Sequence, residues 1–268
     1  MRKVVALSLL GLSLPLLLYA DQQSEPQLPA GLGGSIALAP DSKEPTPRLP
    51  DGTVDLSGLW LGGGPHADLE RGGGLKPGDV VKLLQPWAKA LMDTRTEAQD
   101  PYSYCMPMAP PRQTAAFPFR FIQNFTHKAP TLMYILQEAN IHSYQQIFMD
   151  GRKHPEDPTP TWFGHSLGWW EKDTLVVDTV GFNDDSWLDR RGFPRTERMH
   201  VIERWTRIDM GHLSKEVTID DPGAYTRPFT ATYQSRLMPA TDDLREYICA
   251  ENNQYGLPSG NTNPYTGN

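Results

Sequence analysis

A handful of histidines and carboxylates in the middle of this chain have the residue types and spacing to move protons. Residues 165–181, HSLGWWEKDTLVVDTVG, place His165 and Asp178 on either side of Lys172-Asp173. With those two residues as a hairpin turn, Glu171 faces Thr174, Trp169 faces Val176, Leu167 faces Asp178 and His165 faces Val180. Side chains alternate along a strand, so His165, Leu167, Trp169, Val176, Asp178 and Val180 share one face. His165 and Asp178 are then diagonal neighbours within side-chain reach. A carboxylate beside an imidazole fixes its tautomer and raises its basicity, which makes the pair a candidate oriented base. The competing reading is a buried polar pair that satisfies itself. A slip of one residue would send every side chain to the opposite face.

A second constellation follows at Glu197, His200 and Glu203, spaced E-x-x-H-x-x-E. On a helix the three would share a face, as in carboxylate metal sites. The β-branched run after Met199 favours a strand starting near His200 instead. His200 and Glu203 then point to opposite faces, and the local metal motif dissolves. Glu197 or His200 remains as the acid that complements His165. The expectation is catalysis without a cofactor, with a bound metal ion as the alternative. Asp178, Asn183, Asp184 and Asp185 offer oxygen ligands for a hard cation, but without the regular spacing of a calcium loop they read as an acidic turn.

Trp162, Trp169, Trp170 and Trp187 are candidate walls for an apolar substrate, with Asn183 and Arg152 as its polar contacts. The Pro-rich loop 150–162 gathers Asp150, Arg152, His154 and Trp162 and reads as a pocket rim. His66, His127, His142 and His212 have no close partner in sequence. There is no Walker loop, no G-x-S-x-G elbow, no H-E-x-x-H and no dinucleotide fingerprint, which weighs against ATPase, serine hydrolase and NAD enzyme classes.

The elements that must position these groups are short. With 25 Pro and 23 Gly in 268 residues, the chain is too often interrupted for a helical bundle or coiled coil. Residues 83–94 predict the one helix, with Pro86 in its first turn. Strands are predicted at 56–60, 119–124, 132–138, 143–150, 164–171, 174–181, 200–209, 213–219, 229–237 and 244–249. This pattern predicts a mainly β protein: a single antiparallel barrel or sandwich with one short N-terminal helix. The domain plan is a signal peptide at 1–20, a Pro/Gly-rich leader at 21–55 and one β-rich domain at 56–268.

Residues 1–20 carry Arg2 and Lys3, an apolar run from Val4 to Leu18 and a small residue, Ala20, before Asp21. That is the order of a secretory signal, and the apolar run is shorter than the ~20 residues that span a bilayer. The expected location is periplasmic or extracellular, with no membrane partner once the signal is cleaved. An oxidising compartment permits a bridge between the two cysteines, Cys105 and Cys249; the alternative is two buried thiols. A net charge of −7 and the lack of a basic face argue against nucleic acid as a partner.

Four strings, PDGTVDLSGLW (50–60), DGRKHPEDPTPTWFGHSLGWWEKDTLVVDTVGFND (150–184), RTERMHVIERW (195–205) and TIDDPGAYTRPF (218–229), resemble a family of exported bacterial proteins of uncharacterised activity. The resemblance covers most of the chain beyond Pro50 and implies export, without an activity to carry over. The tripeptide Gly58-Leu-Trp60 is similar to the opening of calycin and lipocalin-like barrels, whose members include binders of small apolar ligands and some isomerases, hydratases and cyclases. Fold analogy of this kind does not fix function. The residues point first to an acid–base enzyme (a lyase, isomerase, hydratase or hydrolase) acting on a small apolar or aromatic molecule. A non-catalytic small-molecule carrier and a structural envelope domain are the two alternatives.

Overall fold

The computed structural model describes residues 43–249 apart from 66, 116, 127–128 and 139–142. Everything described belongs to one compact unit. The predicted signal and most of the predicted leader lie outside the described residues, as do His66, His127 and His142.

Nine strands close into one barrel: β1 (Trp60–Gly62), β2 (Phe119–Thr126), β3 (Ala129–Gln137), β4 (Tyr144–Phe148), β5 (His165–Glu171), β6 (Thr174–Val180), β7 (His200–Arg207), β8 (His212–Asp220) and β9 (Phe229–Leu237). Each strand pairs with the next in sequence, and β9 returns to β1. Closure leaves no long unpaired edge. The fold is therefore the expected mainly β barrel rather than a sandwich. One pairing departs from the antiparallel rule: β4 and β5 run parallel. A parallel pair needs a long crossover, and residues 149–164 supply it. Residues 244–249, expected as a strand, form none.

Inward-facing side chains fill the barrel. Trp60, Phe119, Phe121, Ile135, Leu175 and Trp205 belong to one buried cluster. Val201, Val217, Ile219 and Phe229 continue into a second, shared with elements outside the barrel. The one α-helix described, α1 (Pro86–Thr94), has Pro86 in its first turn and buries Ala88 and Met92 in that second cluster. Its two buried positions are one turn apart, as an amphipathic helix requires.

The last part of the predicted leader is packed rather than free. Val54 is buried, the Thr46 hydroxyl donates to the Arg207 carbonyl (3.0 Å), and Arg48 forms an ion pair with Asp173. Val54 and its neighbours cover one end of the barrel, so the segment belongs with the domain. Cys105 and Cys249 are joined as a disulfide across 144 positions. It ties the stretch before β2 to the chain beyond β9, and a loop of that size is worth about 4–5 kcal/mol in the chain-entropy view. No helix among the described residues is long and apolar enough to cross a membrane.

A candidate acid–base cluster on the outer face

The β5–β6 hairpin has the predicted register: Glu171 faces Thr174, Trp169 faces Val176, Leu167 faces Asp178 and His165 faces Val180. Ser166, Gly168, Leu175, Val177 and Thr179 are buried along the inner face. His165 and Asp178 therefore project outward, and His200 joins them from β7, where Thr179 pairs with Val201. His165, Val180 and His200 lie in one row across three strands, which puts the two histidine backbones about 10 Å apart at the usual strand spacing.

Glycine makes the local geometry possible at two points. Gly164, with φ +67°, precedes His165, and a Cβ there would stand 2.6 Å from the Val180 carbonyl oxygen. Gly181, with φ +74°, follows β6, and a Cβ there would meet Pro158 at 2.8 Å. A side chain at either position would strain the backbone and push away what packs there. The crossover loop is thereby allowed to lie close. It is pinned by the Thr161 amide donating to the Gly181 carbonyl (3.0 Å) and the Asn183 amide donating to the Thr161 carbonyl (2.8 Å).

This loop delivers a group that the sequence did not single out as catalytic. His154 Nδ1 sits 2.8 Å from His165 Nδ1, and His154 Nε2 sits 3.3 Å from Asp178 Oδ1. His200 Nε2 donates to the same carboxylate oxygen at 2.6 Å. The result is a chain His165–His154–Asp178–His200. A carboxylate only accepts, so His200 carries its proton on Nε2. The imidazole–imidazole contact needs one donor and one acceptor, so it shares a single proton. The signal for His154 was present in the loop's composition, but its partner, Asp178, lies 24 positions on and only the crossover brings them together.

The environments of the two end histidines differ. Burial, the nearby His154 and the Arg152 charge push the His165 imidazole below its ordinary range. The hydrogen bond from His200 to Asp178 raises the His200 imidazole, outweighing burial. Burial works to raise the Asp178 carboxyl, but the hydrogen bonds and charges of His200 and His154 win, and it stays ionised below the usual carboxylate range. Phe148 stacks on His165 at 5.0 Å between ring centres, and the Arg152 guanidinium lies 3.9 Å from the Phe148 ring. Arg152 is itself held by Asp150.

Other expected site residues are placed differently. Asp178 serves His200 and His154 rather than bonding His165 directly. Glu197 is exposed in the turn before β7 and makes no hydrogen bond or ion pair among the described residues, so it is not part of the cluster. Glu203 points into the barrel, opposite to His200, as a strand requires. Trp187 is buried beneath the Arg95 guanidinium and is core, not a pocket wall. Trp169 is 40% exposed on the outer face, its indole donating to Glu171. Trp162 is half-buried on the crossover; its carbonyl and the Asn183 side-chain oxygen both accept from Arg195. Burial pushes the Arg195 guanidinium down to about 9 against the pull of Asp185, Asp184 and Asp221. Asn183 is thus committed to holding the loop. His212, read from the sequence as having no close partner, pairs with Asp209, three positions before it, at 2.7 Å. Among the described residues no group of three or more His, Cys, Asp or Glu side chains is arranged to hold a metal ion.

Fold and site together define a class: a closed nine-stranded β-barrel that carries a three-histidine, one-aspartate chain on its outer face under a crossover loop. The chain matches no protein-family model, no curated protein and no solved structure.

Proposed function

We propose that this protein is an exported enzyme that moves protons on a small apolar or aromatic molecule, with His165 as base and His200 as acid. One observation carries the proposal: two imidazoles on a single face are pushed in opposite directions while linked through His154 and Asp178. Two linked imidazoles, one made harder and one made easier to protonate, are what acid–base chemistry needs. Lyases, isomerases, hydratases and hydrolases all use such a pair. Phe148, stacked on His165, provides aromatic surface beside it. The signal-like residues 1–20 support export, and the Cys105–Cys249 bridge is compatible with an oxidising compartment. The reading requires no cofactor and no nucleic acid or membrane partner.

A generic proton-abstraction probe tests it without a known substrate. With 5-nitrobenzisoxazole a base removes the proton on carbon 3, the N–O bond breaks and 2-cyano-4-nitrophenolate leaves. The expected result is a saturable rate above buffer that rises with pH through a midpoint below 6.5 and then levels, as His165 loses its proton. His165→Ala and His154→Ala should lower that rate at least tenfold, while Glu197→Gln should leave it unchanged. A rate no greater than buffer, or a rate that survives His165→Ala, would overturn the assignment.

A further inference from the structure

At the end of β5 away from His165, the barrel opens into a pocket of about 390 Å³. That volume is in the range of small-molecule sites. Its floor is apolar: Phe121, Met133 and Trp170 come from the strands, and Val54 and Leu56 from the segment that covers this end. Phe125 stands at the mouth, 51% exposed, an aromatic ring left partly in water beside an apolar hollow. None of the pocket's residues belongs to the histidine cluster. Trp170 and His165 are on the same strand, but five positions apart and on opposite faces.

The polar groups of the pocket select a ligand chemistry. Gln123 and Trp170 line it, and neither the Gln123 amide nor the Trp170 indole N–H makes a hydrogen bond to any described residue. Asp51 and Asp55 are the ionisable groups in its wall, and no Lys, Arg or His lines it. An anion placed beside two carboxylates is repelled, and the nearby Arg207 guanidinium is already committed to the Asp55 and Ser57 carbonyls. A neutral or positively charged ring meets no such penalty, and aromatic walls attract a cation. We infer that this pocket is a second ligand site, for a neutral or cationic aromatic compound with a polar N–H or oxygen, and that it rejects anions of the same shape. The inference is independent of the acid–base reading.

Two fluorescent probes that share one ring system test both halves of the statement. N-phenyl-1-naphthylamine is neutral, and 8-anilino-1-naphthalenesulfonate adds a sulfonate to the same skeleton. Titrated into the full chain, the neutral probe should bind saturably at one site, and the sulfonate at least tenfold more weakly. Met133→Trp should fill the pocket and lower affinity for the neutral probe at least tenfold. Phe125→Ser, at a position already 51% exposed, should lower it several-fold and covers the case in which the larger Trp is not accommodated. Asp55→Asn should narrow the gap between the two probes, and Asp178→Asn should change neither affinity. No saturable binding of the neutral probe, equal binding of the sulfonate, or full affinity in Phe125→Ser would overturn the inference. Loss of binding in Asp178→Asn would equally do so, because it would move the ligand to the histidine cluster.

Discussion

The inner and outer faces of β5, β6 and β7 carry the same kinds of residue in different circumstances. Inward, Ser166, Thr179 and Glu203 are fully buried among the barrel's contents. The Gln113 amide reaches Gln145, Gln145 donates to Ser166, and the Ser166 and Thr179 hydroxyls bond to each other at 2.9 Å. Lys215 donates to the Pro111 carbonyl and the Thr114 hydroxyl and lies 3.4 Å from Glu203. Outward, His165, Asp178 and His200 are only half-buried and share protons along a chain. The inner set is fully buried, and its polarity serves to specify how the 112–114 segment sits in the barrel. Half-exposure leaves the outer set able to exchange protons with something that is not protein.

The largest expected effect breaks the inner face. Lys215→Ala strands the Glu203 carboxylate without its one charge partner among the described residues and should cost about 3–5 kcal/mol, read from urea denaturation. The double variant Glu203→Leu/Lys215→Met should be much milder, because it removes both charges at once. If Lys215→Ala were neutral, the inner network would not be structural and the contrast between faces would fail.

An outer-face change should act on protonation instead. In Asp178→Asn the His200 imidazole should titrate closer to 6.5 by NMR, whereas His165 should remain depressed. The stability consequence has a defined sign. His200 is raised in the folded state, so its contribution is complete below the unfolded value of about 6.5 and is lost as pH rises through the raised folded midpoint. His165 is lowered, so its contribution is present above about 6.5 and is lost as pH falls through the depressed midpoint. Asp178→Asn should flatten the first dependence and His165→Ala the second. Identical pH–stability profiles in wild type and both variants would sink the coupling.

Ser166→Ala should cost about 1 kcal/mol, since it removes one neutral hydrogen-bonding group from the buried network. The smallest effect is expected at Trp169→Ala, about 0.5 kcal/mol or less, as an exposed outer-face position. A larger loss there would mean that the outer face carries more of the fold than its exposure indicates.

Much of the architecture was legible locally. Taking Lys172-Asp173 as a two-residue turn gives the β5–β6 register that the structure has, but neither face is purely polar, so the register rested on that one turn assignment. The β-branched run beginning at His200 separated it from Glu203, because side chains alternate along a strand. Two features were not legible. The docking of Val54 and its neighbours depends on an end of the barrel that no local pattern predicts. The parallel pairing of β4 with β5 depends on where a Pro-rich connection runs, and such a segment has no periodicity to read.

The amino-acid sequence alone determined that this chain builds short strands around one short helix, that His165, Asp178 and His200 stand on strands, and which two cysteines are there to be joined. These follow from turn chemistry, alternation and residue counts, all of which act over a few positions. Tertiary structure alone decided that the histidine face is the outer one, that His154 bridges His165 to Asp178, and that Glu197 and Trp187 take no part. Those outcomes depend on closing nine strands into a barrel and laying a crossover across it, and both bring together residues that are far apart in the chain.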